Sequence, residues 1–332
     1  MIVTLTPNPS VDRTVFLDDI VLGSVNRSRR SWSEPSGKGV NVALALHTHG
    51  EPVRAIVTAG GSVGAQLRQM LETAGLDTVF VPVTGEIRAN VSLTRPDGAV
   101  TKINEPGPVL TSDEVNRLVQ AIAAATNDAS LLVCGGSLPA GAPIDLYARI
   151  IETAARQGIP VVIDSSGAPL AASIVAGPDL IKPNTHELAE LTGQALHTLG
   201  DVIDAADEVR ARGAGAVLAS LGADGAVLVD DGGTLYGRAP VDRVVSTVGA
   251  GDAMLAGYLA GRRDRRTALA TALEWGAAAV QHEGTLFSPA TAPQVTVTLY
   301  DDVDRRRILH DDEPAPTAAT ATPAEPGLRT GA

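Results

Sequence analysis

The stretch Ser246-Thr-Val-Gly-Ala-Gly-Asp252-Ala-Met-Leu-Ala-Gly-Tyr258 places a glycine-rich turn and a carboxylate where an apolar, small-residue helix begins. Glycine tolerates positive φ and has no Cβ, so Gly249-Ala250-Gly251 can bring backbone N–H groups against an anion. The helix that follows adds its unpaired N–H groups and the positive end of its dipole. An aspartate in a first helical turn is ambiguous alone, because Asp also stabilises helix N-termini. Next to an anion-binding turn, however, Asp252 stands where it can accept a proton from an attacking hydroxyl, as phosphoryl transfer requires.

Outward from this turn, short β-rich runs alternate with amphipathic helices. Strands are expected at 2–6, 53–58, 131–134, 161–164, 180–182 and 216–220, with a further alternating stretch at 14–17. Helical periodicity starts after Gly37 and recurs at 62–74, 111–126, 143–157, 184–193 and 201–213. Such alternation predicts an α/β fold with a mostly parallel sheet whose ligands bind at the carboxyl ends of the strands. Two segments lack helices: 10–35, and 86–105 with its Pro96-Asp97-Gly98 turn. They read as a small β-sheet lid over one edge of the site. Residues 311–332 are rich in Pro, Ala and Thr without apolar periodicity and read as a disordered tail, leaving 1–310 as one domain.

Composition narrows the function. The 332 residues suffice for a sizeable core, and with only 3% aromatics that core must be aliphatic. The scarcity of aromatics and a net charge of −12 argue against nucleic acid and anionic membranes as partners. Any anionic substrate then needs a local cluster of positive charge. The single cysteine, Cys134, excludes an internal disulfide framework, and the six histidines form no metal-binding pattern. The first residues lack a basic region followed by a long apolar core, so a cytoplasmic location is expected. Neither a Walker A motif nor GxGxxG is present.

Of 26 basic residues only three are lysines, Lys38, Lys102 and Lys182, and each lies in a motif-like segment. A compact ammonium suits a phosphate in a tight pocket. Lys38 lies in Ser36-Gly-Lys-Gly-Val-Asn41, a second glycine-rich helix entry suited to an anion. Asp12, in Thr6-Pro-Asn-Pro-Ser-Val-Asp12, suits sugar hydroxyls but equally a plain turn.

TPNPSVD at 6–12, SGKGVN at 36–41, NEPGP at 104–108, GGSLPAG at 135–141, DSSG at 164–167, KPNTHE at 182–187, SLGADGA at 220–226 and STVGAGD at 246–252 resemble, in order, the phosphofructokinase B family of ribokinase-like sugar kinases. The resemblance implies a three-layer α/β/α sandwich with a β-sheet lid. It makes Asp252 the general base and Gly249, Ala250 and Gly251 the anion hole. Asn184 and Glu187 match an NxxE motif linked to the Mg²⁺ that accompanies ATP, although Glu187 also suits a helix N-terminus. Ser220, Gly222 and Gly225 match the nucleotide-phosphate loop, and Gly276 falls in 275–285, the part that borders adenine. Asp12, Gly37, Lys38 and Asn41 would contact the sugar phosphate, with Arg88 closing from the lid.

SGKG at 36–39 is similar to the 1-phosphofructokinase and tagatose-6-phosphate kinase branch. Its lysine would bind the phosphate already on the acceptor. Ser246 fits the same branch, whereas Ser36 and Ala253 depart from the common residues, and Ser36 touches acceptor choice. The implied activity is ATP-dependent phosphorylation of a phosphorylated ketohexose, with fructose 1-phosphate to fructose 1,6-bisphosphate leading. Tagatose 6-phosphate, fructose 6-phosphate and a non-catalytic sugar-phosphate sensor stand as alternatives. Relatives that pair through their lids imply a homodimer.

Overall fold

Strands written IVTLT, LLVCG and VVID are apolar on both sides and are buried along their whole length, as expected in a parallel sheet covered on both faces. The computed structural model describes residues 1–282, 284 and 295–310. Its strands are β1 (Ile2–Thr6), β2 (Ser10–Phe16), β3 (Arg30–Ser36), β4 (Val53–Ala59), β5 (Asp77–Pro82), β6 (Arg88–Thr94), β7 (Val100–Ile103), β8 (Leu131–Gly135), β9 (Val161–Asp164), β10 (Leu180–Ile181), β11 (Val217–Ser220), β12 (Ala226–Asp230), β13 (Gly233–Arg238) and β14 (Thr298–Tyr300). The helices are α1 (Lys38–Thr48), α2 (Gly61–Thr73), α3 (Ser112–Ala125), α4 (Leu146–Arg156), α5 (Gly167–Ile174), α6 (Thr185–Thr192), α7 (Leu199–Ala211), α8 (Ala250–Ala260) and α9 (Arg265–Ala279).

The main sheet runs β14-β13-β12-β11-β10-β9-β8-β1-β4-β5. From β11 to β5 every pairing is parallel, whereas β12, β13 and β14 add an antiparallel edge. That edge was not among the strands expected from sequence. The core is aliphatic, as the composition requires, and α1, α8 and α9 pack on one another beside it.

The two helix-free segments form a separate four-stranded sheet, β3-β2-β6-β7. The turn at 96–98 joins β6 to β7 as expected. Most of the lid is partly or fully exposed. Asp12 sits within β2, opposite Asn90 of β6, and not in a turn. Residues 311–332, expected as a tail, lie outside the described residues. No helix among those described is long and apolar enough to cross a membrane.

Candidate active site

Several chain segments deliver polar groups to one edge of the main sheet. β9 ends in Asp164, β10 runs into Lys182, and β11 ends in Ser220, each at the carboxyl end of a parallel strand. There α1 and α8 begin and pack against each other. Gly249 is the N-cap of α8, with φ 79° and no side-chain cap, so no carboxylate or hydroxyl of the cap closes off the first amides of the helix. A Cβ on Gly251 would lie 3.3 Å from Lys182 Nζ. The glycine turn therefore stands against an ammonium.

Asp252, in the first turn of α8, is buried, and Asn41 Nδ2 donates to its Oδ2 at 2.7 Å. Burial, with the charge of Asp164 nearby, pushes its pKa up to about 6, against the opposing pull of Asn41, Lys38 and Lys182. A base with a pKa near the working pH is suited to proton transfer.

Asp164 is fully buried between two lysines: Lys38 Nζ is 2.6 Å from Oδ1 and Lys182 Nζ 3.3 Å from Oδ2. Burial alone would raise the Asp164 pKa, but Lys182 and Lys38 outweigh it and hold the carboxyl below its ordinary value. Burial likewise opposes the charge on Lys38, yet Asp164 and Glu187 keep that ammonium above the usual lysine range. Lys38 Nζ also lies 3.5 Å from Glu187 Oε1.

Sequence reasoning assigned no role to Asp164. The available signal was a carboxylate ending the apolar run Val161-Val-Ile-Asp164, at the strand end where such folds bind ligands.

Asn184 and Glu187 form a reciprocal capping box at the start of α6: Glu187 N donates to Asn184 Oδ1 at 2.8 Å, and Asn184 N to Glu187 Oε2 at 2.9 Å. Glu187 thus serves the helix and reaches Lys38 with its other oxygen. Asn184 bridges Ser220, which places the NxxE segment beside the loop 221–225. Gly225 in that loop has φ 94°, and a Cβ there would stand 2.0 Å from Gly237 O, so its glycine is demanded by β13. Gly276 is part of α9, where a Cβ would meet Met254 of α8 at 3.3 Å. Residues 283 and 285 of the expected adenine border lie outside the described residues.

The remaining acceptor candidates share a cleft of about 230 Å³ with Asp252. Asp12, Gly37, Lys38, Asn41 and Arg88 all line it, joined by further residues not assigned to the acceptor from sequence, Asn90 and Lys102 among them. Ser10 Oγ donates to Asp12 Oδ1 at 2.6 Å and Asn90 Nδ2 to the same oxygen at 2.9 Å, fixing the carboxylate. Arg88 donates to Asn8 O at 3.0 Å, and its buried Nε has no partner. Among the described residues neither Arg88 nor Lys102 has a carboxylate in ion-pair contact. Two lid cations thus share a cleft with Asp12 of the lid and the buried Asp252 carboxylate of the main domain.

A buried carboxylate, a helix N-terminus without a side-chain cap and lysines around one cleft suit phosphoryl transfer, and family comparison agrees. The model of the pfkB family of carbohydrate kinases matches residues 6–292. The chain belongs to that family and is an ATP-dependent kinase. It is 39% identical over 263 residues to the 1-phosphofructokinase of Haloferax volcanii, covering 79% of this chain and 84% of the relative. The 1-phosphofructokinase of Bacillus subtilis is 34% identical over 261 residues, covering 79% and 85%.

Among solved structures, phosphofructokinase-2 from Escherichia coli in complex with potassium matches with a TM-score of 0.81 at 32% identity, over 86% of this chain and 94% of that one. Arabidopsis thaliana ribokinase complexed with ribose and ATP matches with a TM-score of 0.70 at 20% identity, over 88% and 95%, which speaks for the fold alone. The fold is the ribokinase-like α/β/α sandwich with a lid.

Proposed function

We propose that the protein transfers the γ-phosphoryl group of ATP to the C6 hydroxyl of fructose 1-phosphate, giving fructose 1,6-bisphosphate. The observation that carries this reading is a buried Asp252 beside the α8 entry, in one cleft with two lid cations that have no carboxylate in ion-pair contact among the described residues. The names of the relatives support the choice of acceptor. In this mechanism Asp252 takes the hydroxyl proton as the oxygen attacks in line. The amides of Gly249, Ala250 and Gly251 stabilise the charge on the transferring group. Asp12, held by Ser10 and Asn90, accepts from sugar hydroxyls.

Ser220 and Gly222 are the nucleotide-loop residues in this reading. Gly225 and Gly276 support the nucleotide side indirectly, through the packing of β13 and of α8 on α9. Asn41, hydrogen-bonded to Asp252, orients the base, and Gly37 keeps the α1 entry open to the acceptor.

Magnesium fits this site in a restricted way. No group of three or more His, Cys, Asp or Glu able to hold a metal occurs among the described residues. Mg²⁺ commonly keeps several waters and uses one or two carboxylates plus substrate phosphates. Glu187, whose Oε1 is free of the capping box, suits that pattern through a water, and Asn184 orients it. When bound with ATP the ion neutralises phosphate charge.

The test is turnover with MgATP on fructose 1-phosphate, fructose 6-phosphate and tagatose 6-phosphate under identical conditions. A kcat/KM preference of about a hundredfold for fructose 1-phosphate is expected. Preference for either 6-phosphate reassigns the acceptor while keeping the chemistry, and no turnover with any of them leaves a sensor.

The lid also suits self-association. Asn26 clamps the connection between β2 and β3 through Val21 N at 2.9 Å and Val21 O at 3.0 Å. The turn it holds exposes Val21, Leu22 and Val25, with Leu22 91% exposed. An ordered apolar tip on a sheet with open edges is a pairing surface. Light scattering should give twice the 34.0 kDa of one chain, falling to one chain for Leu22→Asp. A monomeric parent protein would overturn the dimer.

A further inference from the structure

The loop 221–225 is gripped by the last described residues of the chain. Asp224 is fully buried, and its Oδ2 accepts from His310 N at 2.6 Å. His310 Nδ1 lies 3.0 and 3.1 Å from the two carboxylate oxygens, and an Arg307 guanidinium nitrogen 3.4 Å from Oδ1. The backbone oxygen of Asp224 accepts from Tyr236 Oη at 2.8 Å. A buried carboxylate is costly unless paired, and here every side-chain partner of the carboxylate comes from one segment.

That segment is anchored on its other side. Leu199 N and Gly200 N, first amides of α7 that a helix leaves unpaired, donate to Arg307 O and Arg305 O, each at 2.9 Å. A Cβ on Gly200 would lie 2.7 Å from Arg305 O, so the close approach requires glycine there. Leu309 N donates to His197 O at 3.0 Å, and Arg305 pairs with Asp204 at 2.5 Å. The loop itself is short: three residues of 3₁₀ helix that begin at Gly222 (φ 54°) and are followed by Gly225 (φ 94°), closed by Leu221 N donating to Gly225 O at 2.9 Å. Its one buried carboxylate is therefore held from outside the cleft by a segment tied to α7, while β13 holds its backbone through Tyr236 Oη.

We propose that Val303–His310 is a latch that fixes the nucleotide loop, with Asp224 as a positioning residue for ATP binding. The inference rests on the assignment of Ser220 and Gly222 to the nucleotide. Asp224 touches no substrate in this role. It acts by holding Gly222 and its neighbours where ATP phosphates meet them, and ATP binding in return tightens the latch, since such coupling is reciprocal.

In the full chain, Asp224→Asn and His310→Ala should each raise the KM for ATP about tenfold. The KM for the acceptor, and kcat at saturating ATP, should stay within about twofold. A purely structural role would move all three together and lower the unfolding temperature. In the unaltered protein, a non-hydrolysable ATP analogue should slow amide hydrogen exchange at His310, while the acceptor alone should not.

An unchanged ATP KM in both variants, with residues 221–225 still protected by the analogue, overturns the latch and leaves the nucleotide loop standing. If the analogue protects neither 221–225 nor His310, and Ser220→Ala leaves the ATP KM unchanged, the loop assignment falls and the latch with it. Should Asp224→Asn fail to fold, His310→Ala and the exchange measurement decide, because the His310 side chain is 73% exposed.

Discussion

Asp252→Asn should lower kcat about a thousandfold while both substrates still bind, because it removes a proton acceptor that acts only in the transition state. The replacement is nearly isosteric, and its amide oxygen can still accept from Asn41 Nδ2. In the parent enzyme the base works only when ionised. Its pKa of about 6 therefore predicts an activity that falls tenfold per pH unit below that value and levels off above it. Asp252→Asn should lose that acid limb together with its rate.

Stability should move the opposite way. A carboxyl whose folded pKa is raised from 3.8 to about 6 disfavours folding wherever the unfolded chain is ionised. The penalty is absent below pH 4, grows through the interval, and is complete above 6, at about 3 kcal/mol. Asp252→Asn removes it, so this inactive variant should unfold at a higher temperature than the parent at pH 7.5, with the gap closing toward pH 4. A variant with near-normal kcat would sink the base assignment, and a pH-independent stability difference would sink the account of why the base is poised.

How far the sequence reveals this site depends on whether a residue's role is local. Asp252 and the turn before it were legible because a glycine turn, a helix start and a carboxylate are adjacent in the chain. So were the buried strands, whose apolar runs carry their own boundary signals. The lid was legible from a missing helix between strands and from the turn at 96–98. The hairpin of β12 and β13 carries its own signal, Asp231-Gly232 between two apolar runs, which breaks the strand–helix alternation of the preceding chain. Asp164 is different: its importance comes from Lys38, 126 residues earlier, and Lys182, and only the folded sheet brings the three together. The same holds for Asp224, whose partners lie more than 80 residues onward. Glu187 shows a third case, in which one motif serves two masters, a helix cap and an ion pair, and spacing cannot separate them.

The division of labour among the lysines is where fold and sequence pull apart, and a pair of variants separates the two readings. From sequence, Lys38 would hold the phosphate already on the acceptor. In the structure Lys38 is paired with Asp164 and Glu187, in one cleft with Asp252, whereas Lys102 and Arg88 on the lid have no carboxylate in ion-pair contact among the described residues. The acceptor must present its hydroxyl to Asp252, so its phosphate lies away from the base, and the lid cations are better placed to receive it. Lys102→Met should then raise the KM for fructose 1-phosphate about 30-fold, the worth of a charge-assisted hydrogen bond, while leaving kcat/KM for unphosphorylated fructose unchanged. Lys38→Met should instead lower kcat about a hundredfold with little change in the acceptor KM, because its charge meets the transferring group. It should also destabilise the fold, since Asp164 stays buried with one lysine fewer. If Lys38→Met raises the acceptor KM and spares kcat, and Lys102→Met does neither, the acceptor's phosphate sits at the α1 entry and the lid's positive charge serves another purpose.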